Sequence, residues 1–244
     1  VGPETPILGG SSADDAVAGN WHVRAGTRTS GAGVAVAVLY PSAEIAFAYQ
    51  NGYAPALPAG RATRVQGRRV LEIDGRPAAQ VYAEWTGGAI AATPRNILSD
   101  SAVWPLGREM HQLAGVPYYL LAHPSEIDAE GALHLFADIS EGEVLTQMTG
   151  SVDGLTSRAG RVASLALRTG GVAPDDVAGA LMVYCGGCML SVRDRIDEVV
   201  GGVRDSLPGI PFGGVFTFGE QGPIVAKGNR HGNLMISCIA FCKT

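Results

Sequence analysis

The sequence predicts an α+β fold made of two related α/β halves, with mixed, largely antiparallel sheets and packed helices. Hairpin signals and helical patterns are mixed along the chain, without the regular strand–helix alternation of a parallel α/β protein. Two segments near opposite ends of the chain have similar residues in the same order, which indicates a pseudo-duplication. With 244 residues, 46% of them hydrophobic, the chain is large enough to bury a substantial core.

Apolar runs bounded by turn residues predict the elements of the first half. Residues 34–39 form the longest apolar stretch and are expected to be a buried strand. The β-like run 43–49 precedes Asn51-Gly52, a dipeptide typical of hairpin turns. A strand over 69–73 and an Asp74-Gly75 turn lead to Pro77, which suits the first turn of a helix continuing to residue 85.

Residues 86–101 are rich in Gly, Ala, Thr and Pro and are expected to be a linker. They suggest an N-terminal half over 1–98 and a C-terminal half over 99–244. Helical spacing predicts helices over 153–169, with Asp153 as N-cap, and over 193–207. The strands expected in this half are 117–123, 133–137, 144–148, the continuous apolar run 178–184, 215–218 and 233–241.

The internal repeat pairs residues 5–15 and 30–39 with residues 210–220 and 232–241. Each copy has Pro, bulky apolar residues, a Gly pair, a short loop and an apolar strand. The second copy is preceded by a predicted strand and helix, whereas the first begins almost at Val1. We therefore expect the equivalent strand and helix of the first copy to lie upstream of Val1 or on another chain.

Composition and charge argue against several classes of function. The net charge is −5 and no segment concentrates Lys and Arg, which disfavours nucleic acid and anionic membranes as partners. No apolar run is long enough to span a bilayer, and the first residues lack the pattern of a secretory leader. The four cysteines all lie in the last quarter of the chain, unlike a disulfide scaffold. The sequence therefore predicts a cytoplasmic protein with reduced thiols.

The segment Cys185-Gly-Gly-Cys188 joins a predicted buried strand to a predicted helix. Loops at such strand ends often bind ligands, and Gly186 would allow close backbone approach. The same residues also suit a tight turn with inert, buried thiols, or a reactive Cys185 or Cys188. A zinc site with Cys238 and Cys242 is disfavoured, because those two residues are about 13 Å apart on an extended strand.

Near the end of the chain, Glu220 lies between glycines in a turn, and His231 and Asn233 flank Gly232. Glu220 could pair with a ligand amine or act as a base, and His231 could bind a ligand, act in catalysis or ligate haem. Each residue could equally be an ordinary surface group.

The sequence resembles the FIST family over nearly its whole length. The resemblance rests on these stretches in this order: Gly9-Gly10-Ser-Ser-Ala-Asp-Asp15, Leu71-Glu-Ile-Asp-Gly-Arg-Pro-Ala78, Tyr184-Cys-Gly-Gly187, Phe212-Gly-Gly214, Thr217-Phe-Gly-Glu-Gln-Gly-Pro223 and Asn233 before the last strand. The sequence departs from the family at Cys188, where members often carry Arg; Arg193 is a candidate substitute.

The resemblance implies a sensory domain of signal transduction that binds small molecules such as amino acids. It also implies haem as a cofactor of some members, for response to nitric oxide, and a kinase or cyclase as signalling partner. We expect the ligand between the two halves. The ligand-binding candidates are Gly9, Gly10, Cys185, Gly186, Arg193, Gly213, Gly214, Glu220, His231 and Asn233.

Three alternatives remain open at this point: an enzyme, a haem-based nitric oxide sensor and a structural scaffold without a ligand. An enzyme would use Cys185 or Glu220 with His231, although no recognised nucleophile motif is present. A haem-based nitric oxide sensor would use a His or Cys as its iron ligand.

Overall fold

A computed structural model describes residues 2, 5–14, 18–224 and 227–244. Its helices are α1 (Ala78–Trp85), α2 (Val152–Gly170), α3 (Gly186–Ser191) and α4 (Ile196–Ser206). Its strands are β1 (Gly9–Gly10), β2 (Val23–Ala25), β3 (Arg28–Ser30), β4 (Ile45–Gln50), β5 (Ala54–Gln66), β6 (Arg69–Ile73), β7 (Arg76–Pro77), β8 (Arg95–Asn96), β9 (Leu106–Leu113), β10 (Val116–Ala122), β11 (Pro124–Ile127), β12 (Leu133–Leu135), β13 (Val144–Thr149), β14 (Val177–Cys185), β15 (Phe212–Thr217), β16 (Glu220–Ile224), β17 (Gly228–Gly232) and β18 (Ile236–Cys242).

One core lies between a four-stranded sheet and the helices α2 and α4. The strand order is β15-β14-β18-β4, in which only the β14–β15 pair is parallel. Leu155, Ala159 and Val162 point from α2 into this core, and Val199 and Val203 do so from α4. Burial of these apolar side chains is the main force that holds the layers together.

The longest helix, α2, has clear start and stop signals. The Ser151 side chain accepts a hydrogen bond from the N–H of Gly154, and Gly171 ends the helix with a φ of 66°. The sequence predicted Asp153 as the N-cap, two residues after the observed N-cap Ser151. Similarly, residues 193–195 form a 3₁₀ turn, so that α4 begins at Ile196.

A second core is built on a larger sheet of nine strands. Eight of them follow the order β10-β9-β13-β5-β6-β12-β11-β8, and β7 pairs with β6. Helix α1 covers this sheet with the buried side chains of Val81 and Tyr82. Strands from both sides of the predicted 98/99 boundary share this sheet, as β5 pairs with β13; the boundary itself stays a prediction.

A small three-stranded sheet of order β1-β16-β17 joins the two ends of the chain. In it, Gly9 lies opposite Gln221 and Gly10 opposite Glu220. This pairing places the loop after β1 against the turn between β15 and β16, which is where the candidate site lies.

The mixed helix and strand content confirms the predicted α+β class. The strands expected at 69–73, 117–123, 144–148 and 178–184 are present with small shifts of their ends. Pro77 is the N-cap of α1, and positive φ angles at Asp74 and Gly75 form the expected turn.

Three expectations for local structure are wrong. Residues 34–39 form no strand; Val34 is 85% exposed. Asn51-Gly52 is not a hairpin turn, because β4 pairs with β18 whereas β5 pairs with β13 and β6, so that the dipeptide connects two sheets. Residues 86–101 are not a loose linker, since Ile90 and Ile97 are buried in the second core. Pairing partners and buried contacts, which composition does not reveal, decided each case.

Candidate functional site

The loop after β1 is bonded to the turn between β15 and β16. The N–H of Ser11 donates to the carbonyl of Gly219 (2.8 Å), and the N–H of Phe218 donates to the carbonyl of Ser11 (3.0 Å). These two bonds extend the β1–β16 pairing by one step. The N-terminal segment is therefore fixed against the turn that carries Phe218 and Glu220.

A cavity of about 330 Å³ lies at this junction. It is lined by Ser11, Ser12, Ala13, Asp14, Gly19, Trp21, Arg68, Phe136, Phe218 and His231. Both the beginning and the end of the chain thus contribute to its wall. Asp15, which the sequence analysis placed in the same loop, lies outside the described residues.

Two aromatic rings form the apolar floor of the cavity. Phe136 and Phe218 meet edge to face with their centroids 6.3 Å apart. The buried amide of Asn233 lies behind them: it accepts a hydrogen bond from the N–H of His123 (3.1 Å) and donates to the carbonyl of Phe136 (3.5 Å). Asn233 therefore positions the floor and does not line the cavity.

The rim of the cavity has charges of both signs. The Nε of Arg68 donates to Asp138 (2.9 Å), in an ion pair that is largely exposed. The carboxylate of Asp14 accepts from the N–H groups of Ala18 (2.8 Å) and Asn20 (2.6 Å), which shapes its own loop. A cationic side and an anionic side thus face the same small space.

His231 lies on β17 with a defined ring orientation. Its Nδ1 lies 2.9 Å from the side-chain nitrogen of Gln221. Partial desolvation, helped by Arg68 and Arg108, lowers the pKa of His231, so that the ring is neutral at pH 7. Neutral Nδ1 accepts from Gln221, which leaves Nε2 protonated as a donor. Gly219, with a φ of 89°, lets the ring approach, because a Cβ there would lie 2.5 Å from its Cε1.

Glu220 is buried beside the cavity and does not line it. One carboxyl oxygen accepts from the hydroxyl of Thr217 (2.8 Å) and the other from the N–H of Met235 (3.0 Å). Burial raises the pKa of Glu220 to about 8, against the opposing effect of these hydrogen bonds. Since His231 bonds to Gln221, Glu220 and His231 do not form an acid–base pair.

The Cys185-Gly-Gly-Cys188 turn lies beneath the aromatic floor. A Cβ on Gly186 would lie 2.9 Å from the ring of Phe218, so that glycine allows this contact. Cys185 and Cys188 are buried in the first core and do not line the cavity. The ligand-contact role proposed for Cys185 stays an untested prediction.

The other predicted ligand residues have different positions. Gly9 and Gly10 pair with β16 at the base of the cavity loop. Gly213 and Gly214 lie in β15, and Arg193 is exposed in the turn before α4; the cavity lining contains none of these three.

Sequence reasoning missed Trp21, Arg68 and Phe136 as lining residues. Each lies in a segment without a distinctive motif, far along the chain from the others. The Gly9-Gly10-Ser11-Ser12 pattern, one of the stretches that resemble the FIST family, is the signal in the sequence for this loop.

A wider groove of about 550 Å³ runs between α2 and α4, past Arg161, Arg168 and Glu198. It contains none of the predicted site residues, so we take the smaller cavity as the candidate site. In the described part of the chain, no cluster of three or more His, Cys, Asp or Glu side chains could hold a metal ion. Within the same residues, no helix is long and apolar enough to cross a membrane.

The fold and the cavity define an α+β protein whose N-terminal and C-terminal parts meet at a small cavity lined by charges of both signs. The family model of the FIST N domain matches residues 1–76, and that of the FIST C domain matches residues 78–223. Because the two matches cover nearly the whole chain, the chain belongs to the FIST family. FIST domains are sensory domains of signal transduction. Comparison with the curated proteins and with the solved structures returns no match.

Proposed function

We propose that this protein is a cytoplasmic sensor that binds a small amino acid-like molecule in the cavity between its N-terminal and C-terminal parts. The observation that carries the proposal is the presence of two opposite charges, Arg68 and Asp14, in the lining of one small cavity with an aromatic floor. Seven of the ten lining residues belong to the FIST N match, whereas Phe136 and Phe218 belong to the FIST C match.

The lining chemistry suits a zwitterion. The guanidinium of Arg68 and the Nε2–H of His231 would bind a carboxylate, and Asp14 would attract an ammonium group. Phe136, Phe218 and Trp21 offer contact for an apolar side chain. The volume of about 330 Å³ is at the lower end of the range for ligand sites, as expected for a small ligand.

Ligand binding across the two parts would favour the arrangement in which they are closest. A ligand shifts such an equilibrium only through its different affinity for the two states. The signal would then pass to a partner, for which a kinase or cyclase is the family expectation.

Haem and enzyme chemistry receive no support from the described residues. The cavity of about 330 Å³ is small for a macrocycle. Glu220 has both carboxyl oxygens engaged inside the protein, which leaves it without a substrate-facing atom.

The proposal is tested by calorimetric titration of the protein with the twenty amino acids. We expect at least one to bind, and Arg68→Ala to weaken binding by about tenfold, which is about 1.4 kcal/mol, because the carboxylate loses its cation. Trp21 lines the cavity, so that binding should also change tryptophan fluorescence, and Trp21→Phe should abolish that change.

Arg64→Ala is the matched control, since Arg64 is an exposed arginine of the same strand region, ion-paired with Glu72 outside the cavity. Equal affinity of the wild type, Arg68→Ala and Arg64→Ala would contradict this site. A Soret band after addition of haem, displaced by no amino acid, would favour the gas-sensor alternative.

A further inference from the structure

A buried cation in the first core has no carboxylate partner. Arg158 of α2 is 1% exposed, and no carboxylate of a described residue lies within ion-pair distance of its guanidinium. Its Nη1 donates to the carbonyls of Asn51 (2.5 Å) and Leu234 (2.9 Å), whereas Nε and Nη2 have no hydrogen-bond partner in the described part of the chain. An unpaired buried charge is costly, so that this guanidinium requires an anion or a strongly polarisable neighbour.

The neighbours of Arg158 are two tyrosine rings and a thiol. Its guanidinium carbon lies 5.0 Å from the ring centroid of Tyr184 and 5.7 Å from that of Tyr53. The hydroxyl of Tyr53 lies 3.4 Å from Sγ of Cys188, which is fully buried. Among these groups, Cys188 is the one that can become an anion near neutral pH.

Electrostatics favour ionisation of Cys188. Burial raises the pKa of this thiol, but the Cys185 thiol, the Arg158 charge and the Tyr53 hydroxyl together lower it to about 6. The pKa of Cys185 moves in the opposite direction, chiefly because its S–H is bonded to Cys188. The titratable groups that act on Cys188 or respond to it are Cys185, Tyr53, Tyr184, Arg158 and Glu220.

The two cysteines also have the spacing of a disulfide pair. Cys185 ends β14 and is the N-cap of α3, and Cys188 lies in that helix three residues later. Positions three apart on a helical turn have Cβ atoms about 5–6 Å apart, which is about 1–2 Å more than a disulfide spans, so that closure requires a small movement of the turn. Gly186 and Gly187 between them leave the turn without side chains that would resist closure.

We propose that Cys185 and Cys188 form a redox site in which Arg158 holds Cys188 as a thiolate and hydrogen peroxide converts the pair to a disulfide. The thiolate of Cys188 attacks one peroxide oxygen; the S–O bond forms, the O–O bond breaks and hydroxide leaves. That hydroxide takes the proton of Cys185 as water. The Cys185 thiolate then attacks the Cys188 sulfur, the S–S bond forms and a second hydroxide leaves, so that one peroxide yields one water and one hydroxide.

The burial of both sulfur atoms explains the choice of oxidant. Hydrogen peroxide is nearly as small as water and can reach a buried sulfur through local opening, which a bulky disulfide cannot do as readily. Oxidation removes the anion next to Arg158, which destabilises the folded protein. A cross-link between residues three apart closes only a short loop, so that it removes little entropy from the unfolded chain. We therefore expect the disulfide form to melt at a lower temperature than the dithiol form.

Formation of the disulfide would affect the cavity through Gly186. Its backbone packs against the ring of Phe218, which is part of the cavity floor. A change at the cysteine turn would thus move a lining residue. The redox site itself does not depend on which ligand the cavity binds.

The test is peroxide treatment of the whole protein followed by proteolysis and mass spectrometry. We expect a Cys185–Cys188 linkage with the loss of two hydrogen atoms, reversed by dithiothreitol. Cys238→Ser is the matched control and should oxidise like the wild type, because Cys238 is equally buried but burial raises its pKa to about 12. Cys185→Ser and Cys188→Ser should each abolish the linkage.

The role of Arg158 is tested by Arg158→Met, which should slow the oxidation of Cys188 by roughly tenfold or more through loss of the thiolate. Should that variant fail to fold, the pH profile of the wild type decides: the rate should rise through a midpoint near pH 6. A midpoint near the ordinary thiol value, or oxidation confined to Cys242 while Cys185 and Cys188 stay reduced, would overturn the proposal.

Discussion

Two apolar segments that the sequence analysis paired in a predicted internal repeat have opposite environments in the structure. Residues 33–39, Gly-Val-Ala-Val-Ala-Val-Leu, are exposed; Val34 is 85% and Val36 73% exposed. Strand β18, near the end of the chain, is buried; Ile236 and Cys238 are 0% exposed. Similar β-forming residues thus give a central strand in one case and no strand in the other.

The difference lies in the neighbours of each segment. β18 pairs with β14 on one edge and β4 on the other, and α2 covers its face. Residues 33–39 have no ladder partner in the part of the chain that the structure describes. β propensity measures how well a residue fits a half-buried surface, so that it has little effect where no such surface is offered.

The largest expected effect comes from truncating one apolar side chain in each segment. Ile236→Ala should lower the free energy of unfolding by about 2–5 kcal/mol, because it leaves a cavity in the core. Val36→Ala should change it by less than about 0.5 kcal/mol, as an exposed residue loses little. Urea unfolding of both variants measures the difference. A large loss for Val36→Ala would mean that the segment is covered in solution.

A smaller difference in stability is expected between alanine substitutions in the two Gly pairs, Gly9-Gly10 and Gly213-Gly214. A Cβ on Gly10 would lie 2.3 Å from the Thr217 side chain, so that Gly10→Ala should destabilise the protein by about 1–3 kcal/mol. A Cβ on Gly213 meets no atom within 4 Å, and Gly213→Ala should stay within about 0.5 kcal/mol of the wild type. Thermal unfolding compares the two variants. Equal stability would show that the loop after β1 can move away from β15.

A third effect depends on pH and concerns the acids that follow the two Gly pairs, half-buried Asp14 and buried Glu220. The pKa of Glu220 rises from 4.5 to about 8 on folding, chiefly by burial, so that its neutral form stabilises the protein fully below pH 4.5 and this contribution is lost as the pH rises through 8. Glu220→Gln does not titrate; its amide oxygen accepts from the N–H of Met235, and its amide N–H donates to the Thr217 hydroxyl, which then acts as the acceptor. Between these pH values, the wild type should lose stability relative to Glu220→Gln by at most about 1.4 kcal/mol per pH unit.

Cys188 has the opposite dependence on pH, because its pKa falls on folding. It is present in both proteins, so that only its coupling to Glu220 remains in the difference. Parallel stability curves for the wild type and Glu220→Gln would contradict a neutral, buried Glu220.

Much of the secondary structure could be predicted because its signals are local. Asp74-Gly75 forms the predicted turn, and the apolar run of β14 forms the predicted strand with mostly buried residues. The helical spacing predicted α2, although its N-cap is Ser151 instead of Asp153. The candidate site could be predicted only in part. The Gly9-Gly10 loop and His231 were recognised, whereas Arg68, Trp21 and Phe136 come together through pairing between the two ends of the chain.

By itself, the sequence determined the α+β class, the family and the identity of the polar groups available, because these follow from local pattern and from the order of motifs. Only the tertiary structure decided which groups meet. It buried Glu220 with Thr217 and Met235, turned His231 to Gln221, and placed Arg158 beside Cys188 instead of a carboxylate. Burial and distance set the charge and access of each group, and both depend on residues far apart in the chain.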